Sequence, residues 1–421
     1  MTKSLIMDMF VTATTWTSTT KFSFRFSFIF ILSFVFLKNN GAFPLLQYIN
    51  KPFVLWMQKL TPWFSEHILH YRYDYNIFTN GSGDTSYDWI SLFILFLVAL
   101  GGAILWTLLD KKSENYNRCY YWLTVIVRYY IALMLINYGA IKLVHAQMPP
   151  PGLTRLMQPL GEFSPMGLAW TFLGFSKGYN IFMGIVEILS VLLLFRRTAV
   201  LGALITLATS VNIMTINYFY DVPVKLVSTA LFLLSLFLLL PYIKTLYGLF
   251  FEEKYVRLPL IRRPAFNAVW KRKSVLFFKI AFLGIFAFQQ FSSLLTVQKQ
   301  ISLYFKKSPL YGIYQIDRSD GPQTTLPKDW HTIIFEYGES ATIRDQYYQP
   351  VREQFQLDTS NSTVTLNRYV FDYKVAENGD VNLSRELNGK TEEIRFIKRD
   401  PATFELKKRG FNWIQEYPYN R

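Results

Sequence analysis

Seven apolar segments, each near the length of a membrane-spanning helix, constrain this 421-residue chain more than any other feature. A helix needs about 20 predominantly apolar residues to cross a bilayer. The sequence therefore predicts seven spans: Phe22 to Leu37, Trp89 to Leu109, Cys119 to Val144, Tyr179 to Phe195, Ala199 to Phe219, Leu226 to Ile243 and Val275 to Val297. Hydrophobic residues make up 51% and charged residues 17%, which is typical of a polytopic membrane protein with a water-exposed part.

The basic residues lie beside the apolar runs, and this pattern predicts an orientation. Loops rich in Lys and Arg face the cytoplasm in most membrane proteins. Here they are the N-terminus, Asp110 to Arg118, the Arg196–Arg197 turn and Lys244 to Lys273. We therefore expect a multi-pass inner-membrane protein with a cytoplasmic N-terminus, an uncleaved signal-anchor first span and a periplasmic C-terminal domain. The net charge of +15 follows from these loops, so no nucleic-acid partner is predicted.

Two outer segments have features of their own. In Asn39 to Asp88, large apolar side chains recur at helical spacing, which predicts an amphipathic helix on the membrane surface: Phe53, Trp56, Leu60 and Trp63. Asp84 and Thr85 are placed to cap the second span. In Gln147 to Ser176, several prolines interrupt any long helix. The apolar stretch Met166 to Phe175 is too short to cross, and it is either a re-entrant half-helix or a cap over the bundle.

After the last span the chain becomes polar and shows short alternating stretches typical of strands. They are Tyr311 to Ile316, Thr332 to Tyr337, Glu353 to Leu357, Thr363 to Leu366, Tyr369 to Tyr373, Glu393 to Lys398 and Thr403 to Leu406. Turn signals separate several of them: Asp320–Gly321, Asn378–Gly379 and Asn388–Gly389. The pattern predicts an antiparallel β barrel or sandwich, with Trp330 and Trp413 in its core.

Ionisable and polar side chains inside the spans mark the candidate site. Glu187 lies in the otherwise apolar run Asn180 to Phe195, where an unpaired carboxylate costs a few kcal/mol. The other candidates are Arg128, Tyr138, Lys142, His145, Asn217, Asp221 and Lys225. We expect Glu187 to pair with Lys142 or Arg128. Asn217 and Asp221 are expected to converge with that pair in the outer half of one bundle.

Three interpretations of this polar cluster stay open. It is a structural ion pair that fixes helix register, with Asp221–Lys225 as an interfacial pair. Alternatively, it lines a pocket for a quinone or lipid headgroup or relays protons. Direct catalysis is the third interpretation. Four scattered histidines give no metal-binding spacing, so no metal site is predicted, and the single Cys119 excludes an intramolecular disulfide.

Several motifs from Arg128 onward resemble the DoxX-like membrane family, which includes DoxX, DoxD and MauE relatives, in the enlarged form of Bacteroidota. The matching segments are Arg128 opening a span, Tyr138-Gly-Ala-Ile-Lys142, Gly184-Ile-Val-Glu187, Arg196-Arg-Thr198 with Gly202, and Asn217-Tyr-Phe-Tyr-Asp221-Val-Pro-Val-Lys225. The resemblance covers about Arg128 to Tyr242. It implies a four-helix bundle in the inner membrane, sometimes linked to quinone or redox partners. MauE-type disulfide chemistry is not expected, because the cysteine pair is missing.

These observations predict six regions. They are a signal anchor (1–38), a periplasmic amphipathic segment (39–88), a DoxX-like bundle (89–243), a basic cytoplasmic loop (244–273), a last span (274–298) and a periplasmic β-domain (299–421). One functional hypothesis is an accessory subunit of a cell-envelope or respiratory complex, with protein partners in the inner membrane or periplasm. The other is an enzyme or carrier for a quinone- or lipid-like molecule. No tightly bound cofactor is predicted, and a quinone or lipid is the candidate ligand.

Overall fold

The computed structural model describes residues 15–72, 82–252, 255, 258, 261, 268–317, 330–337, 341–347, 349–351, 355–366, 369–387 and 389–419. The chain divides into two compact units. The helical unit comprises Met1–Met148 and Leu168–Leu295, and the β unit comprises Pro149–Gly167 and Thr296–Arg421. Residues 149–167 therefore belong to the β unit, although they lie between two spans in the sequence.

Within the described residues, seven helical segments are long and apolar enough to cross a membrane, which confirms the predicted polytopic helical class. They are α1 (Ser18–Leu37), α3 (Ser86–Leu109), α4 (Asn117–Leu143), α7 (Lys177–Ile188) with the 3-10 helix Leu189–Leu194, α8 (Ala199–Phe219), α9 (Lys225–Leu239) with the 3-10 helix Leu240–Tyr242 and α10 (Ile243–Phe251), and α11 (Val269–Tyr304). Helices satisfy their own backbone hydrogen bonds, which the hydrocarbon interior requires.

α4 is the central helix of the helical unit. It packs against α7, the 3-10 helix Leu189–Leu194 and α9, while α8 packs against α9 and the same 3-10 helix. Residues Tyr130 to Leu135 of α4 are almost completely buried. α1 packs mainly against α3. On the part of α11 that the structure describes, Phe286 is the buried side chain, so the apolar part of that helix is largely left for lipid.

Connectivity defines two ends of the helical unit. The basic end carries Asp110–Arg118 and the Arg196–Arg197 turn, and the opposite end carries the α4–α7 and α8–α9 connections. At the opposite end, Thr85 and Asp88 form a reciprocal capping box at the start of α3, as predicted for Thr85. Asp84 instead caps α9, because its carboxylate accepts from the backbone N–H groups of Lys225 and Leu226 at 2.6 and 2.8 Å.

The amphipathic segment forms α2 (Leu46–His67). Its buried side chains are Asn50, Met57, Thr61 and Ser65, with Met57 packed against Ile90 and Ile94 of α3. The aromatic side chains Phe53, Trp56 and Trp63 are about half exposed on the other side. This arrangement leaves an aromatic stripe available for a membrane surface. The second predicted outer helix is α6 (Pro165–Phe175), and 11 residues span only about 16 Å.

In the part of the β unit that the structure describes, nine strands form one antiparallel sheet. They are β1 (Gly312–Ile316), β2 (Thr332–Phe335), β3 (Ala341–Arg344), β4 (Pro350–Val351), β5 (Phe355–Asp358), β6 (Thr363–Leu366), β7 (Tyr369–Val375), β8 (Val381–Leu387) and β9 (Lys390–Arg399). The strand order is β4-β3-β2-β1-β9-β8-β7-β6-β5. Strands that are consecutive in sequence pair with each other, except β4 and β5, which form the two edges of the sheet. In addition, β1 pairs with β9 in the middle of the sheet.

This order requires the sheet to curl. Eight strand spacings of a flat sheet would separate the edges by about 38 Å. Only three residues join Val351 of β4 to Phe355 of β5, and four residue steps reach about 14 Å at most. The two edges therefore lie close together, and the sheet is a curled half-barrel, not a two-layer sandwich.

Six of the seven predicted strand segments contain a strand, and Thr403 to Leu406 does not. There, Asp400 caps the 3-10 helix Pro401–Thr403, and the helical turn α12 (Glu405–Lys408) follows, because Pro401 cannot donate to a strand ladder. The Asn378–Gly379 turn joins β7 to β8, and Gly379 has a φ of +85°. Gly389, between β8 and β9, has a φ of +75°. Asp320–Gly321 and Asn388 lie outside the described residues.

The curled sheet buries side chains on both faces near β1 and β2. Trp330, Tyr314, Phe335, Phe371 and Phe396 form the main core on the inner face. On the outer face, the paired residues Ile313 and Ile334 contact Leu153 and Met157, which belong to α5 (Leu153–Leu156) and the residue after it. The prediction for Trp413 is wrong, because that side chain is 90% exposed in the C-terminal segment beyond α12.

Candidate functional site

A buried ion pair between α4 and α7 forms the centre of the candidate site. The Lys142 Nζ donates to both carboxylate oxygens of Glu187, each at 2.8 Å. The side chains are only 7% and 4% exposed. The structure thus selects Lys142 from the two predicted partners. Placing both oxygens on one ammonium neutralises the carboxylate that would otherwise be unpaired among apolar side chains.

Two glycines allow the pair to form by bringing the backbones of α4 and α7 together. A Cβ on Gly139 would lie 2.6 Å from the Gly184 carbonyl oxygen, and a Cβ on Gly184 would lie 2.7 Å from that of Gly139. Small residues permit such close helix contacts inside membranes. Gly139 precedes Lys142 by three residues and Gly184 precedes Glu187 by three, so the close contact and the ion pair lie about one helical turn apart.

Tyr138 and His145 lie beside the pair on α4 and after its end. The Lys142 Nζ is 6.0 Å from the centre of the Tyr138 ring, which is within the range of a cation–π interaction. His145 has left-handed backbone (φ 56°), and its Nε2 is 3.0 Å from the Gly174 carbonyl oxygen of α6. Asn180 of α7 donates to the Leu173 and Met148 carbonyl oxygens, both at 3.1 Å. His145 and Asn180 therefore hold the end of α6 at the opposite end of the helical unit.

Asn217, Asp221 and Lys225 form a separate group at the α8–α9 turn. The Asn217 side-chain amide donates to the Val224 carbonyl oxygen at 3.3 Å. The exposed carboxylate of Asp221 pairs with the Lys225 Nζ at 2.8 Å. These contacts, with the Asp84 cap on α9, satisfy the polar groups of the turn locally. The predicted Asp221–Lys225 pair is thus present, and its position at the membrane interface stays a prediction.

Arg128 lies toward the basic end and donates a hydrogen bond to the C-terminal end of the 3-10 helix Leu189–Leu194. The last three carbonyl groups of a 3-10 helix lack partners within the helix. Here the Thr198 hydroxyl donates to the Leu192 oxygen (2.7 Å), Arg128 Nε to the Leu193 oxygen (2.7 Å) and Lys279 Nζ to the Leu194 oxygen (3.2 Å). Side chains from α4, α11 and the turn before α8 therefore cap this helix.

The contacts of the described residues do not join Asn217 and Asp221 to the Lys142–Glu187 pair, so their convergence in the outer half of the bundle stays a prediction. Lys142 and Glu187 pair with each other, whereas Asn217 and Asp221 bond within their own turn and Arg128 bonds to the 3-10 helix. Helical periodicity predicts the face of one helix that a residue occupies. It does not predict the rotation of neighbouring helices about their axes, which depends on close contacts such as Gly139–Gly184.

The geometry of the pair limits its chemistry. The ammonium donates to both carboxylate oxygens, and a close backbone contact lies one turn away. A closed, neutral pair of this kind fixes helix register and depth. Among the described residues, no group of three or more His, Cys, Asp or Glu side chains could hold a metal ion.

The helical unit contains a second buried charge that was not predicted from the sequence. Arg25 of α1 is 3% exposed and donates to the Tyr116 hydroxyl (3.0 Å), the Thr107 hydroxyl (2.7 Å) and the Asp110 carbonyl oxygen (2.9 Å). Hydrogen bonds from Ser113 and Tyr116 hold the pKa of the Asp110 carboxyl well below its usual range. The only sequence signal for this site was a single Arg among phenylalanines. The same pattern is also expected of a positive charge that sets the orientation of the first span.

The chain is similar to the Uncharacterized protein YwoB of Bacillus subtilis (strain 168), with 37% identity over 136 residues. The aligned stretch covers 30% of this chain and 80% of that protein. No family model matches the chain, and no solved structure matches it. The relative's name states no activity, so the role of the site rests on its geometry.

Proposed function

We propose that the chain, which belongs to the same family as YwoB of Bacillus subtilis, is a structural or accessory subunit of a cell-envelope or respiratory membrane complex. The observation that carries this proposal is the closed Lys142–Glu187 pair. A carrier or enzyme that used these groups would need at least one of them open to a ligand or water. Here each is the hydrogen-bond partner of the other, between backbones in close contact.

The arrangement of the helices supports a DoxX-like bundle as part of this proposal. α4, α7 with its 3-10 extension, α8 and α9 pack on one another as a group of four. The glycines and charges of the matching motifs, Gly139, Lys142, Gly184 and Glu187, are the residues at the α4–α7 contact. We place this bundle in the inner membrane with its basic end in the cytoplasm, on the basis of its Lys- and Arg-rich connections.

A surface for protein partners is the second part of the proposal. The segment after α12 presents four large apolar side chains, each at least 79% exposed: Phe411, Trp413, Ile414 and Tyr417. Lys407, Lys408 and Arg409 precede them. Exposed apolar side chains that cluster beside polar ones are typical of interaction surfaces. We propose that residues 411–417 contact a partner of the complex.

Co-purification tests the subunit role. The full-length tagged protein is extracted from its own membranes in mild detergent, and its partners are quantified. We expect a stoichiometric partner that is lost in a Phe411→Ala/Trp413→Ala variant and retained in Tyr347→Ala, which removes a 72% exposed aromatic residue elsewhere in the β unit. If the protein purifies alone from every extraction, the proposed subunit role is contradicted. If a partner co-purifies equally with both variants, residues 411–417 are not its binding surface.

The competing function is an enzyme or carrier for a quinone- or lipid-like molecule. A neutral Lys142→Met/Glu187→Met variant separates the two, because it removes both charges but keeps apolar volume in the contact. A structural pair predicts that this variant still assembles and supports the cellular function. Normal assembly with loss of function would instead assign chemistry to the pair.

A further inference from the structure

A cleft opens at the basic end of the helical unit, away from the Lys142–Glu187 pair. It is a small cleft, with a cavity volume of about 30 Å³, and it lies between α4, the start of α8 and the end of α9. Two guanidinium groups, from Arg128 and Arg196, and two phenol rings, from Tyr121 and Tyr242, line it beside apolar Leu238 and Ala199. Its lining in the described part of the chain contains no acidic side chain.

The two arginines keep most of their donors unused. Arg128 Nε donates to the Leu193 oxygen at 2.7 Å, and Arg196 Nη2 donates to the Ile261 oxygen at 2.5 Å. Neither has another hydrogen bond or a carboxylate partner within the residues that the structure describes. A guanidinium has five N–H donors, so four remain on each. With respect to the described residues, both arginines thus bring an uncompensated positive charge to the cleft.

Electrostatics predicts what compensates these charges. Two like charges that line one partly enclosed space repel each other, and each loses part of its hydration. An anion with several acceptor oxygens removes both penalties. The planar fork of a guanidinium matches a phosphate group, with two parallel hydrogen bonds. The Tyr121 and Tyr242 rings also carry hydroxyl donors, while Leu238 and Ala199 give the cleft an apolar wall.

We propose that this cleft binds the phosphoryl group of an anionic ligand. The group belongs either to the headgroup of a membrane phospholipid or to a free phosphate compound. Arg196 is exposed in the turn that follows the span Lys177–Leu194, where headgroups meet the hydrocarbon region. Arg128 lies deeper, on α4. The two charges therefore lie one behind the other along the path by which a headgroup would enter the cleft.

Ligand binding to the delipidated full-length protein in neutral detergent tests this proposal. The probes are dioctanoyl phosphatidylglycerol, dioctanoylglycerol as its match without phosphate, and inorganic phosphate. The readouts are the ligand-dependent shift of the melting temperature and a titrated affinity. The variants are Arg196→Gln and Arg128→Gln, with Arg197→Gln as the control for net charge, since Arg197 lies in the same turn but does not line the cleft.

We expect phosphate-dependent stabilisation of the wild type and of Arg197→Gln, and an affinity about tenfold or more weaker in Arg196→Gln, because hydrogen bonds between charged groups are lost. Arg128→Gln also removes the Leu193 cap, so Arg196→Gln keeps the test valid if that variant does not fold. Stabilisation by inorganic phosphate as well as the lipid identifies a free phosphate site, and stabilisation by the lipid alone identifies a headgroup site. Equal losses in Arg196→Gln and Arg197→Gln, or no phosphate dependence, would overturn the proposal.

Discussion

The Lys142–Glu187 pair makes a definite prediction for single residues. Removing one partner of a buried ion pair leaves an uncompensated charge and typically costs about 3–5 kcal/mol, whereas replacing both with apolar residues is often neutral. We therefore expect Lys142→Met to lower the melting temperature strongly and Lys142→Met/Glu187→Met to recover most of the loss. The measurement is thermal unfolding in detergent with all single variants. Additive losses in the double variant would show that the two side chains are not coupled.

Two tryptophans of the β unit provide a second comparison at this scale. Trp330 is 1% exposed within the inner core, and Trp413 is 90% exposed. Trp330→Ala is expected to destabilise the β unit by about 3–5 kcal/mol through lost burial and the resulting cavity. Trp413→Ala should change stability by less than about 0.5 kcal/mol, as surface substitutions usually do. Denaturant unfolding followed by circular dichroism measures both, and similar effects of the two changes would contradict the described burial.

Helix contact governs the next scale, where α4 meets α7. A methyl group at Gly184 would overlap the Gly139 carbonyl oxygen, so Gly184→Ala must separate the two helices. Overpacking of this kind typically costs 1–3 kcal/mol, about the range expected here. Separation would also lengthen the 2.8 Å contact between Lys142 and Glu187.

Gly101→Ala in α3 is the matched control for this helix contact. A Cβ there meets no atom within 4 Å, so the change should be neutral or stabilising by up to about 1 kcal/mol through helix propensity. Melting temperatures of the two variants in the same detergent test the expectation. Equal stability of Gly184→Ala and Gly101→Ala would show that the α4–α7 contact tolerates a wider spacing.

For the whole molecule, the composition of the β unit has a consequence for its folding. Residues 149–167 supply Leu153 and Met157 to the outer face of the sheet, and the Thr154 N–H donates to Glu336 at 2.9 Å. Pro309 to Arg421 is predicted to fold as a fragment, but with Ile313 and Ile334 uncovered. Fusing residues 149–167 through a flexible linker should raise its melting temperature, since each buried aliphatic side chain contributes about 1.5–3 kcal/mol.

A fused segment with Leu153→Ser and Met157→Ser is the control for that experiment. It keeps the linker and the Thr154 N–H but removes the two apolar side chains that contact the sheet. It should give little of the stabilisation. If both fusions raise the melting temperature equally, the packing of Leu153 and Met157 does not stabilise the β unit.

Membrane orientation is also a property of the whole chain. Residues 149–167 pack in one unit with residues 296–421, so both must lie on one side of the bilayer. The basic connections predict that this side is periplasmic. Reporter fusions at Lys254, outside the described residues, and at Glu377 should give cytoplasmic and periplasmic signals respectively. The reverse pair of signals would invert the orientation, and identical signals would contradict the predicted crossing between them.

The sequence by itself determined the features that depend on local composition and period. Seven apolar runs predicted seven helices, and alternation with turn signals predicted six of the strand segments, because side-chain spacing within an element reflects its own geometry. The cost of an isolated carboxylate among apolar residues predicted that Glu187 has a partner. The sequence did not distinguish Lys142 from Arg128 as that partner, because either basic side chain could reach Glu187 from the neighbouring helix.

Only the tertiary structure decided which distant groups meet. Gly139 and Gly184 set the α4–α7 contact that selects Lys142, and Asp84 caps a helix that begins 141 residues later. β1 pairs with β9, which is distant in sequence. α5 covers the outer face of β1 and β2, so Ile313 and Ile334 are buried although alternation along the strands would predict that they are exposed. Trp413 is exposed because no element covers it in the described residues. These outcomes depend on packing between separate elements, which local sequence periodicity does not encode.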